Sequence, residues 1–125
     1  MSSHKAISLF KREKIVAIIV NTTSPSDLLK KIKEAIDGGK VRSWSYDKDG
    51  DFTHDSEQWK NKAWLTPKVY NGELRFGILK QQNVNLSKQV YGLYHGRFID
   101  MLLTHFDDCF TTALATAGKK EPDSF

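Results

Sequence analysis

The feature that most constrains the fold is a long amphipathic stretch near the C-terminus, residues 87–117. Its apolar side chains recur at intervals of three and four residues, which places them on one face of a helix with about 3.6 residues per turn. Ser87 is suited to cap the first turn, and Gly118 is suited to end the helix. The pattern therefore predicts a single long helix. Its apolar stripe consists of Tyr91, Tyr94, Phe98, Met101, Leu102, His105, Phe106, Cys109 and Ala113.

A helix of this length has a consequence for assembly. At roughly 1.5 Å per residue it would be about 46 Å long, whereas a compact chain of this size has a diameter of about 36 Å. One end would overhang the domain, and four further apolar residues widen the apolar arc beyond what one sheet face covers. Exposed apolar surface on that scale commonly marks an interface. The sequence therefore predicts a homodimer through this helix, with its interface at Ile99, Leu103, Phe110 and Leu114.

Upstream patterns predict a central strand and a second helix. Residues 13–22 contain a uniformly apolar, largely β-branched run, typical of a strand that is covered on both faces. Ser24 and Pro25, with Asp27 three residues after Ser24, predict a helix N-terminus, and the pair Gly38-Gly39 predicts its end. The apolar face of this helix consists of Leu28, Leu29, Ile32, Ala35 and Ile36.

Two hairpins are predicted between the helices. Residues 41–46 and 51–54 flank a turn, and Asn71-Gly72 joins the strands 63–70 and 73–79 through a two-residue type I′ turn.

The short loop of the second hairpin fixes its register. Tyr70 is then opposite Glu73, and Lys68 is opposite Arg75. Because Pro67 has no N–H to donate, the first of these strands is predicted to lie at a sheet edge or to carry a bulge.

The predicted order is β-α-β-β-β-β-α. It indicates an α+β two-layer sandwich, with a mainly antiparallel sheet and both helices, the shorter and the long C-terminal one, on one face. The arrangement is similar to ferredoxin-like folds but lacks their final strand. Residues 1–11 are predicted to be a mobile N-terminal arm, 12–118 a single domain and 119–125 a C-terminal tail.

Composition narrows the class of protein. A hydrophobic content of 39% suits one globular domain, and the single cysteine, Cys109, excludes an intramolecular disulfide. The net charge of +4 is modest, and its excess lies in residues 1–40, with eight Lys/Arg against four Asp/Glu. The longest apolar run is far shorter than the roughly 20 residues needed to span a bilayer. These observations predict a cytoplasmic protein without membrane association.

Two groups of side chains resemble metal sites. Asp47, Asp49 and Asp51 alternate as at the start of an EF-hand loop, but Phe52 and Gln58 occupy the positions where that loop needs Gly and Glu. We therefore predict a solvated turn that does not bind calcium. His105 and Cys109 have a spacing that zinc could use, but no further cysteine exists, and we interpret both as core residues. No metal and no cofactor are predicted.

Catalysis is the least supported function. His54, Asp55 and Glu57 cluster after the first hairpin, and His95 lies between Gly92 and Gly96 on the long helix. Imidazole and carboxylate groups could act as general acid and base, but no nucleophile motif or phosphate loop accompanies them. The two glycines are predicted to let the helix approach the sheet or a second helix closely.

The remaining candidate site is one face of the second hairpin, which combines cations with aromatic rings. Cations beside stacking rings are typical of surfaces that bind single-stranded nucleic acid. We predict a small non-catalytic interaction module that binds another macromolecule, in a regulatory, neutralising or accessory role. The partner would be an unknown protein; the alternative is a nucleic acid or anionic ligand, and the third hypothesis is an enzyme that uses the His54/Asp55 region. The predicted partner face consists of Trp64, Lys68, Tyr70 and Arg75.

Overall fold

The computed structural model describes residues 17–117. The predicted arm, residues 1–11, and the predicted tail, residues 119–125, lie outside the described residues. The elements are β1 (Ala17–Asn21), α1 (Pro25–Asp37), β2 (Trp44–Tyr46), β3 (Phe52–His54), β4 (Ala63–Tyr70), β5 (Glu73–Lys80), α2 (Lys88–Phe106) and β6 (Thr112–Ala115). The predicted α+β class is confirmed.

The six strands form one antiparallel sheet in the order β2-β3-β4-β5-β1-β6. The part β4-β5-β1-β6 has the strand order of a ferredoxin-like β-α-β-β-α-β unit, and the β2–β3 hairpin is inserted after α1 and extends the sheet at one edge. The prediction that the final strand is missing was wrong, because β6 supplies it.

The long predicted helix is divided between α2 and β6. Ser87 caps α2 as predicted, since its hydroxyl accepts from Val90 N at 3.1 Å, but α2 ends at Phe106. Asp107 and Asp108 follow, where negative charge opposes the helix dipole. The chain then pairs with the free edge of β1. The 19 residues of α2 are about 28 Å long at ~1.5 Å per residue, so the overhang expected of the longer helix is absent.

The register of the second hairpin is confirmed at every predicted pair, including Tyr70 opposite Glu73 and Lys68 opposite Arg75. Gly72 has a φ of +80°, as a type I′ turn requires. The prediction that β4 lies at a sheet edge was wrong, because β4 lies between β3 and β5. Pro67 is tolerated because β3 pairs with β4 only where Phe52 faces Leu65.

Helix α1 has its predicted bounds but not its predicted cap. The side chain of Ser24 makes no capping hydrogen bond. Instead, Thr22 Oγ1 accepts from Ser24 N at 3.2 Å and donates to Cys109 O at 2.8 Å. Gly39, with a φ of +81°, ends the helix as predicted.

The core lies between both helices and one face of the sheet. Helix α1 contacts β2, β4 and β5, and α2 contacts β1, β4 and β6. Ring contacts connect the inserted hairpin to this core: Trp44 meets Phe98 edge-on at 4.9 Å between centroids, and Phe52 lies 5.6 Å from Phe98. No described helix covers the opposite face of the sheet. We call this the open face.

Candidate interaction surface

Strand alternation positions the predicted partner face. Leu74 and Phe76 of β5 point into the core and are fully buried, so Glu73 and Arg75 point to the open face. Cross-strand pairing then places Tyr70 and Lys68 of β4 on the same face, opposite Glu73 and Arg75 respectively. The structure therefore brings together three of the four predicted residues.

Arg75 is held in place by two neighbours. Its Nε donates to Glu73 Oε1 at 2.8 Å, and its guanidinium carbon lies 4.3 Å from the centroid of the Tyr70 ring. The side chains of Arg75 and Glu73 are 28% and 30% exposed. Tyr70, Glu73 and Arg75 therefore form an ordered triad on the open face.

Lys68 differs from Arg75. Its side chain is exposed, and it forms no ion pair with any residue that the structure describes. Because it lies directly opposite Arg75, the two cations repel each other, and only one carboxylate of the triad is available to offset them. The four residues Lys68, Tyr70, Glu73 and Arg75 therefore carry a net charge of about +1.

Trp64 is not accessible on this face. It is only 4% exposed, between Ala63 and Leu65, which are both fully buried. Alternation predicts the direction in which the side chain points but not what covers it, so no local sequence pattern indicates this burial. The accessible aromatic ring of the predicted set is that of Tyr70.

The four residues of the predicted dimer interface do not form one stripe. Ile99 and Phe110 are half-buried against the core, whereas Leu103 and Leu114 are 55% and 48% exposed. Leu114 lies opposite Ile19, on the open face, while Leu103 belongs to α2 on the other side of the sheet. The prediction of one interface along a single helix was wrong, because the predicted end of that helix forms β6 instead. Self-association itself stays a prediction.

His54, the centre of the catalytic hypothesis, is packed into the structure. It is 4% exposed, and its ring meets Trp44 edge-on at 5.1 Å. Its Nδ1 lies 3.1 Å from Ser56 Oγ, and its Nε2 lies 3.5 Å from Arg97 Nη1. Burial and the charge of Arg97 lower the pKa of His54, while Asp55 opposes this shift.

These contacts favour one tautomer of the neutral ring. Arg97 can only donate, so His54 Nε2 accepts and the proton of the neutral ring lies on Nδ1. The ring then donates to Ser56 Oγ, which also accepts from Trp59 N at 3.3 Å. A general base would need to accept the proton of Ser56, and this arrangement has the opposite polarity. Asp55 is exposed and pairs with Lys60 at 3.4 Å.

His95 is also buried, at 3% exposure. Its Nδ1 donates to Tyr91 O at 2.8 Å, and its ring stacks on the Tyr91 ring at 4.0 Å. Its Nε2 has no hydrogen-bond partner among the described residues. Burial lowers the pKa of His95, against the effect of the Tyr91 carbonyl.

Gly92 and Gly96 flank this histidine on the exposed side of α2. A Cβ atom at either position would meet no atom within 4 Å. The prediction that these glycines bring the helix close to the sheet was wrong.

The acidic turn holds three carboxylates whose oxygens lie within 4.8 Å of one another, those of Asp47, Asp49 and Asp51. Asp47 Oδ1 accepts from Asp49 N at 3.0 Å and from Asp51 N at 3.1 Å, so it stabilises the turn itself. The absence of calcium binding stays a prediction. His105 is exposed and Cys109 is half-buried, so His105 is not the core residue that was predicted.

An open pocket of about 190 Å³ lies at the N-terminus of α1. Its lining includes Cys109 and the pair Lys31–Asp27, whose charged atoms are 3.5 Å apart. Burial raises the pKa of the Cys109 thiol, Asp108 adds to this shift and Lys31 opposes it. The thiol is therefore not activated as a nucleophile.

No protein-family model, curated protein or solved structure matches this chain. None of the described helices is long and apolar enough to span a bilayer.

Proposed function

We propose that this protein is a non-catalytic interaction module that binds another protein through the open face of its sheet. The observation that carries the proposal is the ordered triad of Tyr70, Glu73 and Arg75 beside Lys68, which forms no ion pair with any described residue. A rigid aromatic ring with an arginine on it is the type of group that dominates binding energy at protein interfaces. An acidic residue of the partner would relieve the repulsion between Lys68 and Arg75.

The same geometry favours a protein over a nucleic acid. A stacking platform needs open ring faces, but the Tyr70 ring is covered on one side by Arg75, and Trp64 is buried. Glu73 also presents a carboxylate that would repel a phosphate. Nucleic-acid or anionic-ligand binding remains the second candidate, because two cations are directly opposed across the hairpin.

The test is a comparative affinity purification of the wild-type protein and three variants. Lys68→Glu reverses the charge beside the triad, Tyr70→Ala removes the ring, and Lys30→Glu reverses the charge of another exposed lysine, on α1, as a matched control. We expect one protein to be lost with the first two variants and retained with Lys30→Glu. Equal recovery with all variants would contradict the proposal.

Titration of a labelled single-stranded oligonucleotide at several salt concentrations tests the second candidate. Counterion release would make its affinity fall steeply with salt, and Lys68→Ala would reduce that slope. Binding of this kind without loss of a protein partner would replace the first proposal by the second. The third hypothesis, an enzyme that uses the His54/Asp55 region, stays a prediction and has less support, because His54 is 4% exposed and Asp55 pairs with Lys60 at 3.4 Å.

A further inference from the structure

The outer edge of β6 is the most exposed pairing surface of the sheet. One edge of β6 pairs with β1, and no described strand pairs with the other. Proteins normally protect such edges with charges, proline or bulges, because their unpaired N–H and C=O groups recruit further strands. Residues 109–117 contain no charged residue and no proline.

The opposite edge of the sheet, β2, is protected. Charged residues flank it, Arg42 before the strand and Asp47 and Lys48 after it. The Tyr46 hydroxyl donates to the Asp37 carboxylate at 2.8 Å, which ties this edge to α1. The lack of protection is therefore a property of β6 and not of both edges.

We propose that β6 pairs antiparallel with β6 of a second copy of this chain, so that the two sheets become one continuous sheet. A two-fold contact of this kind presents the same surface on both sides. It therefore needs a strand without charge, because like charges would face each other across the axis. Thr112–Ala115 meets that requirement, and the half-exposed Leu114 gains cross-strand neighbours on the open face. This inference does not rest on the proposed partner face.

The position of α2 fits such a dimer. It contacts β6 as well as β1 and β4, whereas α1 contacts β2, β4 and β5. The open space at Gly92 and Gly96 gives the second helix room.

Charge complementarity supports a second copy over a foreign strand. The Tyr91 hydroxyl donates to Thr116 O, which fixes the end of β6 beside the start of α2. At about 3.4 Å per strand residue and 1.5 Å per helix residue, the middle of β6 then lies beside the middle of α2. A two-fold axis there makes the helices antiparallel and brings the exposed Lys88 of one copy towards the exposed Asp107 of the other.

Sedimentation velocity from about 1 to 200 µM protein tests the proposal, over the range expected of a small interface. Leu114→Lys and Ala115→Lys each place a charge on β6, and Val69→Lys is the matched control. Val69 is 44% exposed, and its strand β4 is three positions from β6 in the sheet. We expect a wild-type dimer, at least a tenfold weaker dimer with either β6 variant, and no change with Val69→Lys.

Circular dichroism checks that each variant is folded, and hydrogen exchange provides a second readout. In the wild-type protein, amide protection at residues 112–115 should rise with protein concentration, while protection at β2 should not. A monomeric wild-type protein, a dimer that survives both β6 variants, or equal dissociation by Val69→Lys would overturn the proposal.

Discussion

At the scale of single residues, Arg75 and Lys68 show how neighbours determine the role of a charge. Both are cations on the open face and lie opposite each other. Arg75 has a carboxylate at 2.8 Å and a ring beneath it, whereas Lys68 has neither among the residues that the structure describes. The sequence pattern alone suggests that removing either charge would be neutral or slightly stabilising, because it relieves a like-charge pair. The structure changes that expectation for Arg75 only.

The stability of the two alanine variants should therefore differ. Arg75→Ala loses the Glu73 contact and the Tyr70 stacking, and should lower the free energy of unfolding by about 0.5–1 kcal/mol. Lys68→Ala should be neutral or raise it by a few tenths of a kcal/mol, at roughly the scale of one cross-strand pair. Urea denaturation measures both. An Arg75→Ala variant that is as stable as the wild-type protein would contradict the prediction, even if Glu73→Gln destabilises the protein. The contacts of Arg75 would then not stabilise the fold.

His95 should make stability depend on pH. Burial lowers its pKa in the folded protein below the unfolded value of about 6.5, so the unfolded chain binds the proton more readily. The free energy of unfolding should be highest above that pH and fall as the pH drops through it. His54 has a lowered pKa as well and contributes in the same direction.

Thermal unfolding of His95→Gln between about pH 5 and 8 isolates the contribution of His95 to this pH dependence, because a glutamine does not titrate. The variant should lose less stability on acidification than the wild-type protein. His105→Gln, at an exposed position on the same helix, is the control and should keep the wild-type slope. An unchanged slope for His95→Gln would show that its ring is protonated without penalty.

At the scale of elements, short sequence patterns correctly predicted the features that depend only on neighbouring residues. The Asn71-Gly72 turn needs only positive φ angles, so it fixed the register of β4 and β5 correctly. The end of α2 depends instead on the free edge of β1, which lies about 90 residues earlier in the chain, and no local pattern reports it.

The candidate site shows the same limit. Alternation placed Lys68, Tyr70 and Arg75 on one face, because side-chain direction is a property of each strand. It could not predict the burial of Trp64, which depends on what packs over the ring.

The two glycines of α2 should limit its stability. Gly92 and Gly96 are exposed, and an added Cβ meets no atom at either position. Gly92→Ala and Gly96→Ala should each raise the free energy of unfolding by about 0.5–1 kcal/mol, since alanine loses less backbone entropy in a helix. Gly72→Ala is the contrasting variant, because its φ of +80° strains any residue with a Cβ. Urea denaturation of the three variants should give opposite signs.

At the scale of the whole molecule, the inserted hairpin is part of the core rather than an attachment to it. Trp44 and Phe52 are 1% and 0% exposed, as buried as the residues of the ferredoxin-like part. Thr53 Oγ1 also lies 2.9 Å from the Tyr94 hydroxyl, which connects β3 to α2. The two parts of the sheet therefore share one set of ring contacts and should unfold together.

Trp44→Ala tests this cooperativity. The ring contacts Phe98 and Tyr94 at 4.9 and 5.5 Å between centroids, and its removal leaves a cavity in the shared core. The expected loss is about 3–5 kcal/mol, a large part of the roughly 5–15 kcal/mol of a typical domain. Leu103→Ala, at a 55% exposed position, should cost less than about 0.5 kcal/mol. Far-ultraviolet circular dichroism and the fluorescence of the other tryptophans should report one coincident transition in both variants. If the hairpin were an independent unit, Trp44→Ala would instead produce an early transition that leaves the helix signal of α2 unchanged.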